Sequence, residues 1–286
     1  MFGVIRDLFR NDKRFAFGFS VLAFFVIIAF ASRFAPYDMR AWNTVPRDLR
    51  PSLKHPLGTN SIGQDIMWQA MAAIRNSLLL GVIAAAISRV IAIAVGLLSG
   101  YKGGLFDRVV MVLTDSFIII PLFPILILIA TILRSSLNMV VLGVVIGLFG
   151  WAWDARLFRS QILSLKEREF TKTAVYSGLS TFKIVLSEHL PYIVPLVMAT
   201  TINNLIWVIG MEVTLSMLGL SNLNTPTIGT MIYWALQYQA IFLEMWNWIL
   251  TPVTICIILI LALYMLSTSI SEYLDPRTRL QMIRKR

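Results

Sequence analysis

The sequence is poor in charge, cysteine and histidine. Only 14% of its 286 residues are charged, against about a quarter in soluble domains, while 57% are hydrophobic. The single cysteine, Cys256, has no partner for an intramolecular disulfide. This composition excludes a disulfide scaffold and a disordered chain, and it oversupplies apolar surface for one soluble core. A membrane protein is the class that remains.

Sequence motifs for nucleotide binding and catalysis are also missing. No Gly-Lys pair occurs, so the chain has no Walker phosphate loop, and no Gly-x-Ser-x-Gly elbow is present. The topology derived below places His55 and His189 on opposite sides of the membrane, where they cannot ligate one metal. We therefore expect no cofactor, no metal and no enzyme activity, and any ATP must be bound by another chain.

Six stretches are long and apolar enough to cross a bilayer. The first, 15–32, carries no charge and exceeds the length typical of a signal peptide core, so we interpret it as a retained anchor. The other five follow at 77–101, 109–133, 137–153, 190–220 and 245–271. The sequence predicts an all-α, polytopic membrane protein with six transmembrane helices.

The distribution of Lys and Arg predicts the orientation. With the N-terminus inside, the inner segments 1–14, 101–108, 154–189 and 272–286 carry 17 of these residues, against 7 in the outer segments. Both termini are therefore predicted to be cytoplasmic, in the cell (inner or plasma) membrane. The net charge of +10 then reflects loops facing anionic lipid, and no nucleic acid is expected as a partner.

The two longest connections have different characters. The extracytoplasmic segment 33–76 holds four prolines, too many for one helix, and Gly58 and Gly63 indicate defined turns. It could be a solvated linker, and we favour an ordered cap that partly faces a partner protein. The five-helix transmembrane core would then be residues 77–271, including the cytoplasmic loop 154–189, followed by the basic tail 272–286.

The inner loop has an amphipathic pattern with two interpretations. Phe170, Ala174 and Gly178 recur at i, i+4 and i+8, with charged residues such as Glu169 and Lys172 elsewhere. Such a helix could rest on anionic lipid. Alternatively, Gly178 could form a turn between two short helices, with a new helix starting at 190–191, and the pair could dock on a partner.

A few polar residues lie within the predicted spans. Arg89 is near the bilayer centre, where an unpaired charge is costly, and we expect it to pair with Asp115, although a role in the substrate pathway is the alternative. Glu212 lies near the outer end of its span, where it could reach the interface. Asn203 and Asn204 are placed to join helices. Glu212 or the two asparagines could also line a translocation pathway.

Two segments resemble one transporter family. Residues 58–65 read GTNSIGQD and are followed by NSL at 76–78, similar to the pattern GTDxxGRD…SL. The inner stretch EFTKTA at 169–174, with Gly178 and Leu190-Pro191, resembles the EAA loop of ABC importer permeases. Together they resemble the C-type permease of the dipeptide/oligopeptide importer family over nearly the whole chain.

The resemblance implies a type I ABC importer permease fold and a set of partners. These are a homologous B-type permease, two cytoplasmic ATP-binding subunits and an extracytoplasmic substrate-binding protein. The resemblance also implies that the inner loop supplies the coupling helix, which would involve Glu169, Phe170, Lys172, Thr173, Ala174 and Gly178. Substrates in this family are peptides, and relatives carry oligosaccharides or nickel.

The chain departs from the family pattern at several positions. Asn60 and Gln64 replace an acid and an arginine, and Lys172 replaces the glutamate of the EAA triplet, so the ion pairs of the family need not apply. A self-sufficient secondary carrier, with Arg89 and Asp115 as a charge relay, is the rival function. Six spans without inverted-repeat symmetry and the long amphipathic loop argue against it.

Overall fold

The protein is described from a computed structural model that covers residues 8–133 and 136–274. Within these ranges the regular structure is helical, apart from one isolated β-bridge between Thr59 and Asp65. Arg134, most of the basic tail and the first seven residues, which belong to the predicted N-terminal segment 1–14, lie outside the described residues.

The helices follow one another along the chain, and a 3-10 turn at Ser32–Phe34 continues the first of them. They are α1 (Lys13–Ala31), α2 (Ile66–Lys102), α3 (Gly104–Ile119), α4 (Leu122–Ile132), α5 (Met139–Phe149), α6 (Ala152–Lys166), α7 (Glu169–Tyr176), α8 (Thr181–Met217), α9 (Ile228–Gln237) and α10 (Trp246–Leu274).

Four of these helices, α1, α2, α8 and α10, are long and apolar enough to cross a membrane alone. The pairs α3/α4 and α5/α6 pass the same test together but are bent by 80° and 44°. If each bent pair is one span, the described chain has up to six, in agreement with the predicted number. The bend between α3 and α4 falls at Pro121, which lacks a backbone donor and pushes Ile120 into extended backbone.

Three helices extend beyond the apolar spans that the sequence predicts. The helix α2 starts at Ile66 rather than 77, because the Asp65 carboxylate caps the backbone N–H groups of Met67 and Trp68. The helix α6 runs to Lys166, well past the predicted end of the span at 153. The helix α8 starts at Thr181, behind the Ser180 cap, and reaches 190 through a π-helical segment at 184–189. No new helix begins at Leu190-Pro191.

The helix α2 is the centre of the bundle and packs against α1, α5, α6 and α8. Its contact with α6 is close because Gly96 has no side chain: a Cβ there would lie 2.6 Å from the carbonyl oxygen of Ala155. Phe158 and Ile162 of α6 are fully buried in this contact. The rigid α2–α6 contact positions the charged residues described below.

The segment between α1 and α2 is an ordered cap. Gly58 and Gly63 have φ of 76° and 80°, as the predicted turns require. Buried His55 contacts the Asp65 carboxylate through Nδ1 at 2.6 Å. The pKa of Tyr37 is raised because burial and the nearby Asp65 carboxylate both disfavour the phenolate. An ordered cap was expected here; its contact with a binding protein stays a prediction.

Candidate functional site

The inner loop contains a two-faced short helix, α7. Thr171 and Ala174 are buried on one face. The opposite face presents Lys172, Val175 and Tyr176 to solvent, and the Tyr176 side chain is 88% exposed. The helix therefore has one face fixed to the bundle and one face free to meet a partner.

Polar and aromatic contacts fasten α7 to the start of α8. Thr171 Oγ1 lies 2.9 Å from Nε2 of buried His189 and donates to the Leu165 carbonyl at 2.8 Å. Since the hydroxyl has one hydrogen, His189 donates from Nε2. The Phe170 ring stacks on Tyr192 with centroids 5.0 Å apart. The helix α7 is therefore held against the start of α8 by two side-chain contacts.

A left-handed turn ends α7 at the predicted glycine. Gly178 has φ of 75°, and the N–H groups of Gly178 and Leu179 donate to the carbonyls of Val175 and Ala174. The prediction that Gly178 occupies the turn is confirmed. The helix stops at Tyr176, so the i, i+4, i+8 stripe does not extend to Gly178 as a helical face.

The reversed charge at Lys172 is balanced within α7. Its ammonium group donates to Glu169 Oε1 at 2.9 Å, and both side chains are exposed. This hydrogen bond raises the pKa of Lys172, and the Glu169 charge adds to the effect. Thr173 is also exposed, with its hydroxyl donating to the Glu169 carbonyl.

The exposed surface of the loop is mixed, with three large apolar side chains among charged and polar ones. Val175 and Tyr176 on α7 and Phe182 at the start of α8 all protrude, with Phe182 66% exposed. Exposed large apolar side chains on both sides of a fixed turn are typical of a contact surface. The surface fits both interpretations given above, a protein partner or lipid.

The predicted pair between Arg89 and Asp115 was wrong. Arg89 is 6% exposed and forms an ion pair with Asp154 of α6, while its Nη1 donates to Thr200 Oγ1 at 2.9 Å. Asp115 pairs instead with Arg156 at 2.6 Å, and both of these side chains are partly exposed. The prediction failed because α6 continues beyond the apolar residues and carries Asp154 against α2.

The sequence suggested that Glu212 could reach the membrane interface, but in the structure its side chain is buried. It is 1% exposed and accepts hydrogen bonds from Thr227 Oγ1 at 2.5 Å and Ser216 Oγ at 2.8 Å. Ser77 of α2 also donates to it, at 3.4 Å. The carboxyl group therefore joins α2, α8 and the start of α9 inside the protein.

The two asparagines of α8 both make contacts across helices. Buried Asn204 donates through Nδ2 to the Gly150 carbonyl at 3.2 Å. Exposed Asn203 accepts from Ser267 Oγ of α10 at 2.7 Å. Helix joining by these amides was expected, while pathway lining stays a prediction.

The sequence interpretation missed Asp154, Thr171 and His189 as partners. Asp154 directly follows the predicted fourth span. An acid at that position could have been predicted as the ion-pair partner of a buried arginine on a neighbouring helix. Thr171 lies on the buried face of α7 beside Ala174, where a lone hydroxyl needs a partner. His189 ends the π-helical segment, which apolar periodicity does not reveal.

These features define a multi-pass α-helical membrane protein that holds a short exposed helix rigidly at one end of its bundle. Residues 92–280 match the family described as the binding-protein-dependent transport system inner membrane component, and the chain belongs to that family.

Full-length relatives agree with this assignment. The chain is 30% identical to the oligopeptide transport system permease protein OppC of Mycobacterium tuberculosis, over 96% of this chain and 94% of the relative. It has the same identity and coverage with OppC of Lactococcus lactis. The dipeptide transport system permease protein DppC of Bacillus subtilis is 26% identical, over 96% of this chain and 85% of the relative. The chain is thus a transport permease.

Proposed function

We propose that this permease forms half of the translocation pathway of an ATP-driven ABC importer for dipeptides or oligopeptides. A homologous B-type permease supplies the other half. Two ATP-binding subunits hydrolyse ATP, and a substrate-binding protein delivers the peptide from the opposite side. The names of the OppC and DppC relatives support the peptide class. No comparison supports the self-sufficient carrier.

The anchored helix α7 carries this proposal. Its exposed face, with Val175 and Tyr176, docks in a groove of one ATP-binding subunit. The Thr171–His189 hydrogen bond and the Phe170–Tyr192 stack pass the movement of that subunit to α8. A helix lying on lipid head groups has no need of such a rigid connection.

The orientation follows from this docking. ATP-binding subunits lie in the cytoplasm, so α7 and both termini are placed there, and the cap at 33–65 faces outward. The excess of Lys and Arg in the inner segments supports the same direction. The cell membrane is the proposed location.

The intramembrane polar residues divide into two groups. Arg89, Asn204 and Glu212 are buried, and we assign them to bracing the helices. Asn203 is exposed on α8 and lines the pathway between the two permeases. Asp115, partly exposed in its pair with Arg156 of α6, is assigned to the inner mouth.

Co-purification of the ATP-binding subunits tests the docking role of α7. The Tyr176→Ser change removes the most exposed aromatic ring of the loop and should weaken their binding by at least about tenfold, as for an interface anchor. Leu53→Ser, a fully exposed apolar position in the cap on the other side, is the matched control and should bind as wild type. Wild-type binding by Tyr176→Ser would refute the docking role.

The substrate class is tested separately on the cognate binding protein. Titration with panels of peptides, oligosaccharides and nickel should give tight binding for peptides alone. Binding of an oligosaccharide or nickel in place of peptides would overturn the substrate and leave the docking role of α7 intact.

A further inference from the structure

Two neighbouring hollows on the outer surface of α1 and α2 share Arg33 and Arg75. The first has a volume of about 210 Å³ and is otherwise apolar, lined by Val26, Ala29, Phe30, Leu78, Leu79 and Val82. The second has a volume of about 290 Å³ and includes the polar side chains of Tyr37, Asp38, Arg40 and Asn76. The two arginines stand at the border between an apolar groove and a polar hollow.

The two helices place their charges at the same end of the groove. Arg33 follows Val26 by seven residues on the chain leaving α1, and Arg75 precedes Val82 by seven residues on α2. Seven helical residues span about 10 Å at 1.5 Å per residue, so each arginine lies about 10 Å along its helix from the valine. Because the two helices run in opposite directions, both arginines lie at the same end of the groove. The surface therefore matches a molecule with one charged end and one hydrocarbon end.

The charge at the border is not neutralised within the described chain. Neither arginine is within ion-pair distance of a carboxylate among residues 8–133 and 136–274. Arg75 Nε donates to Asn76 Oδ1 at 3.3 Å, and Arg33 lies over the Phe30 ring. Asp38, which also lines the polar hollow, accepts a backbone hydrogen bond from Arg40. The hollow keeps an excess of positive charge.

We infer that this surface binds an anionic phospholipid. The phosphodiester lies between Arg33 and Arg75, whose guanidinium groups match phosphate geometry, and one acyl chain occupies the groove. The lining side chains Phe30, Leu79 and Val82 are all exposed on helices long and apolar enough to cross a membrane, which places them to meet an acyl chain. A soluble anion would gain nothing from this apolar half.

The charge requirement is tested with the full chain purified in detergent and titrated with fluorescent phosphatidylglycerol or phosphatidylcholine. Wild type should bind phosphatidylglycerol about 30-fold more tightly, since each of the two arginines near an anionic head group contributes about fivefold. The double variant Arg33→Gln/Arg75→Gln should lose that preference. Arg50→Gln/Lys54→Gln removes two exposed charges from the same segment and should keep it. Arg33→Lys/Arg75→Lys should also keep it, which separates loss of charge from misfolding.

The groove is tested by filling it. Val82→Trp should weaken binding of both lipids, whereas Val90→Trp, at an exposed position farther along α2 and outside the hollow, should not. Equal effects of the two tryptophans would contradict an acyl chain in the groove.

The remaining outcomes identify other occupants. Displacement of phosphatidylglycerol by millimolar inorganic phosphate would make this a simple anion site and overturn the inference. The titration is repeated on the assembled transporter. Loss of the phosphatidylglycerol preference there would assign the groove to a neighbouring subunit and overturn it as well. A preference retained in the assembled transporter and resistant to phosphate supports it.

Discussion

Among individual residues, the buried Arg89 joins three helices through its guanidinium group. Its partner Asp154 lies on α6, and Thr200 of α8 binds the same guanidinium group. Nε of Arg89 is buried and has no hydrogen-bond acceptor in the described part of the chain. The buried Arg89 guanidinium therefore depends on the Asp154 carboxylate, because water cannot reach the site to replace that carboxylate if it is removed.

Removing Asp154 should therefore be severe. Asp154→Leu is expected to cost about 3–5 kcal/mol of stability by leaving a buried charge unpaired, while Arg89→Leu/Asp154→Leu should be milder than the sum of its single changes. Asp115→Leu breaks a partly exposed pair and should cost at most about 1 kcal/mol. Thermal unfolding of the detergent-purified chain gives these values. Additive losses for Arg89 and Asp154, or coupling of Arg89 to Asp115, would contradict the observed pairing.

The cap shows which features of single residues could be predicted from the sequence. The sequence marked Asn60 and Gln64 as departures from a charged family pattern. In the fold, Asn60 Nδ2 donates to Gln64 Oε1 and Gln69 Oε1, so neutral amides satisfy one another in a buried site. Turn glycines were predictable because φ depends on local sequence. Distant partners, such as Asp154 for Arg89, were not predictable, because they lie on separate helices far apart in the chain.

The element that links the membrane to its proposed partner is the α7 turn. Gly178 has φ of 75°, and a Cβ on this residue would have no other atom within 4 Å. A side chain there therefore meets backbone strain rather than a clash. Gly178 is therefore required for its backbone conformation and not because a neighbouring atom leaves no room for a side chain.

The effect of a substitution at Gly178 should depend on how readily the new residue adopts the left-handed backbone conformation. Gly178→Val is expected to cost about 1–3 kcal/mol in the turn and to reduce both ATPase attachment and substrate-stimulated hydrolysis, while membrane insertion stays normal. Gly178→Asn, which tolerates this conformation, is the matched control and should stay close to wild type. Co-purification and ATP hydrolysis measure the effect. Wild-type assembly and hydrolysis by Gly178→Val would remove the turn from the coupling mechanism.

Helix ends were the least predictable part of the elements. Hydropathy located the apolar parts of α2 and α8 but ended at the start of α6. The caps at Asp65 and Ser180 extended α2 and α8 into polar sequence. The π-helical segment before Leu190 has no signature in the apolar spacing. Polar residues that continue a helix outside the membrane are invisible to a search for apolar spans.

For the whole molecule, the sequence predicted the class and the number of spans because both follow from composition and length. The bend at Pro121 has a local cause in the proline itself, whereas the position of α2 at the centre depends on packing between helices. Gly96 illustrates this: it is one of several span glycines, and its importance emerges only where α6 approaches it.

The central claim is that this chain moves substrate only as part of an ATP-driven assembly. Vesicles containing the chain, its partner permease and the ATP-binding subunits should take up labelled peptide when ATP and the loaded binding protein are present. Vesicles with the chain alone should show no uptake under a proton or sodium gradient. Gradient-driven uptake by the chain alone, without ATP, would contradict the account and establish a secondary carrier.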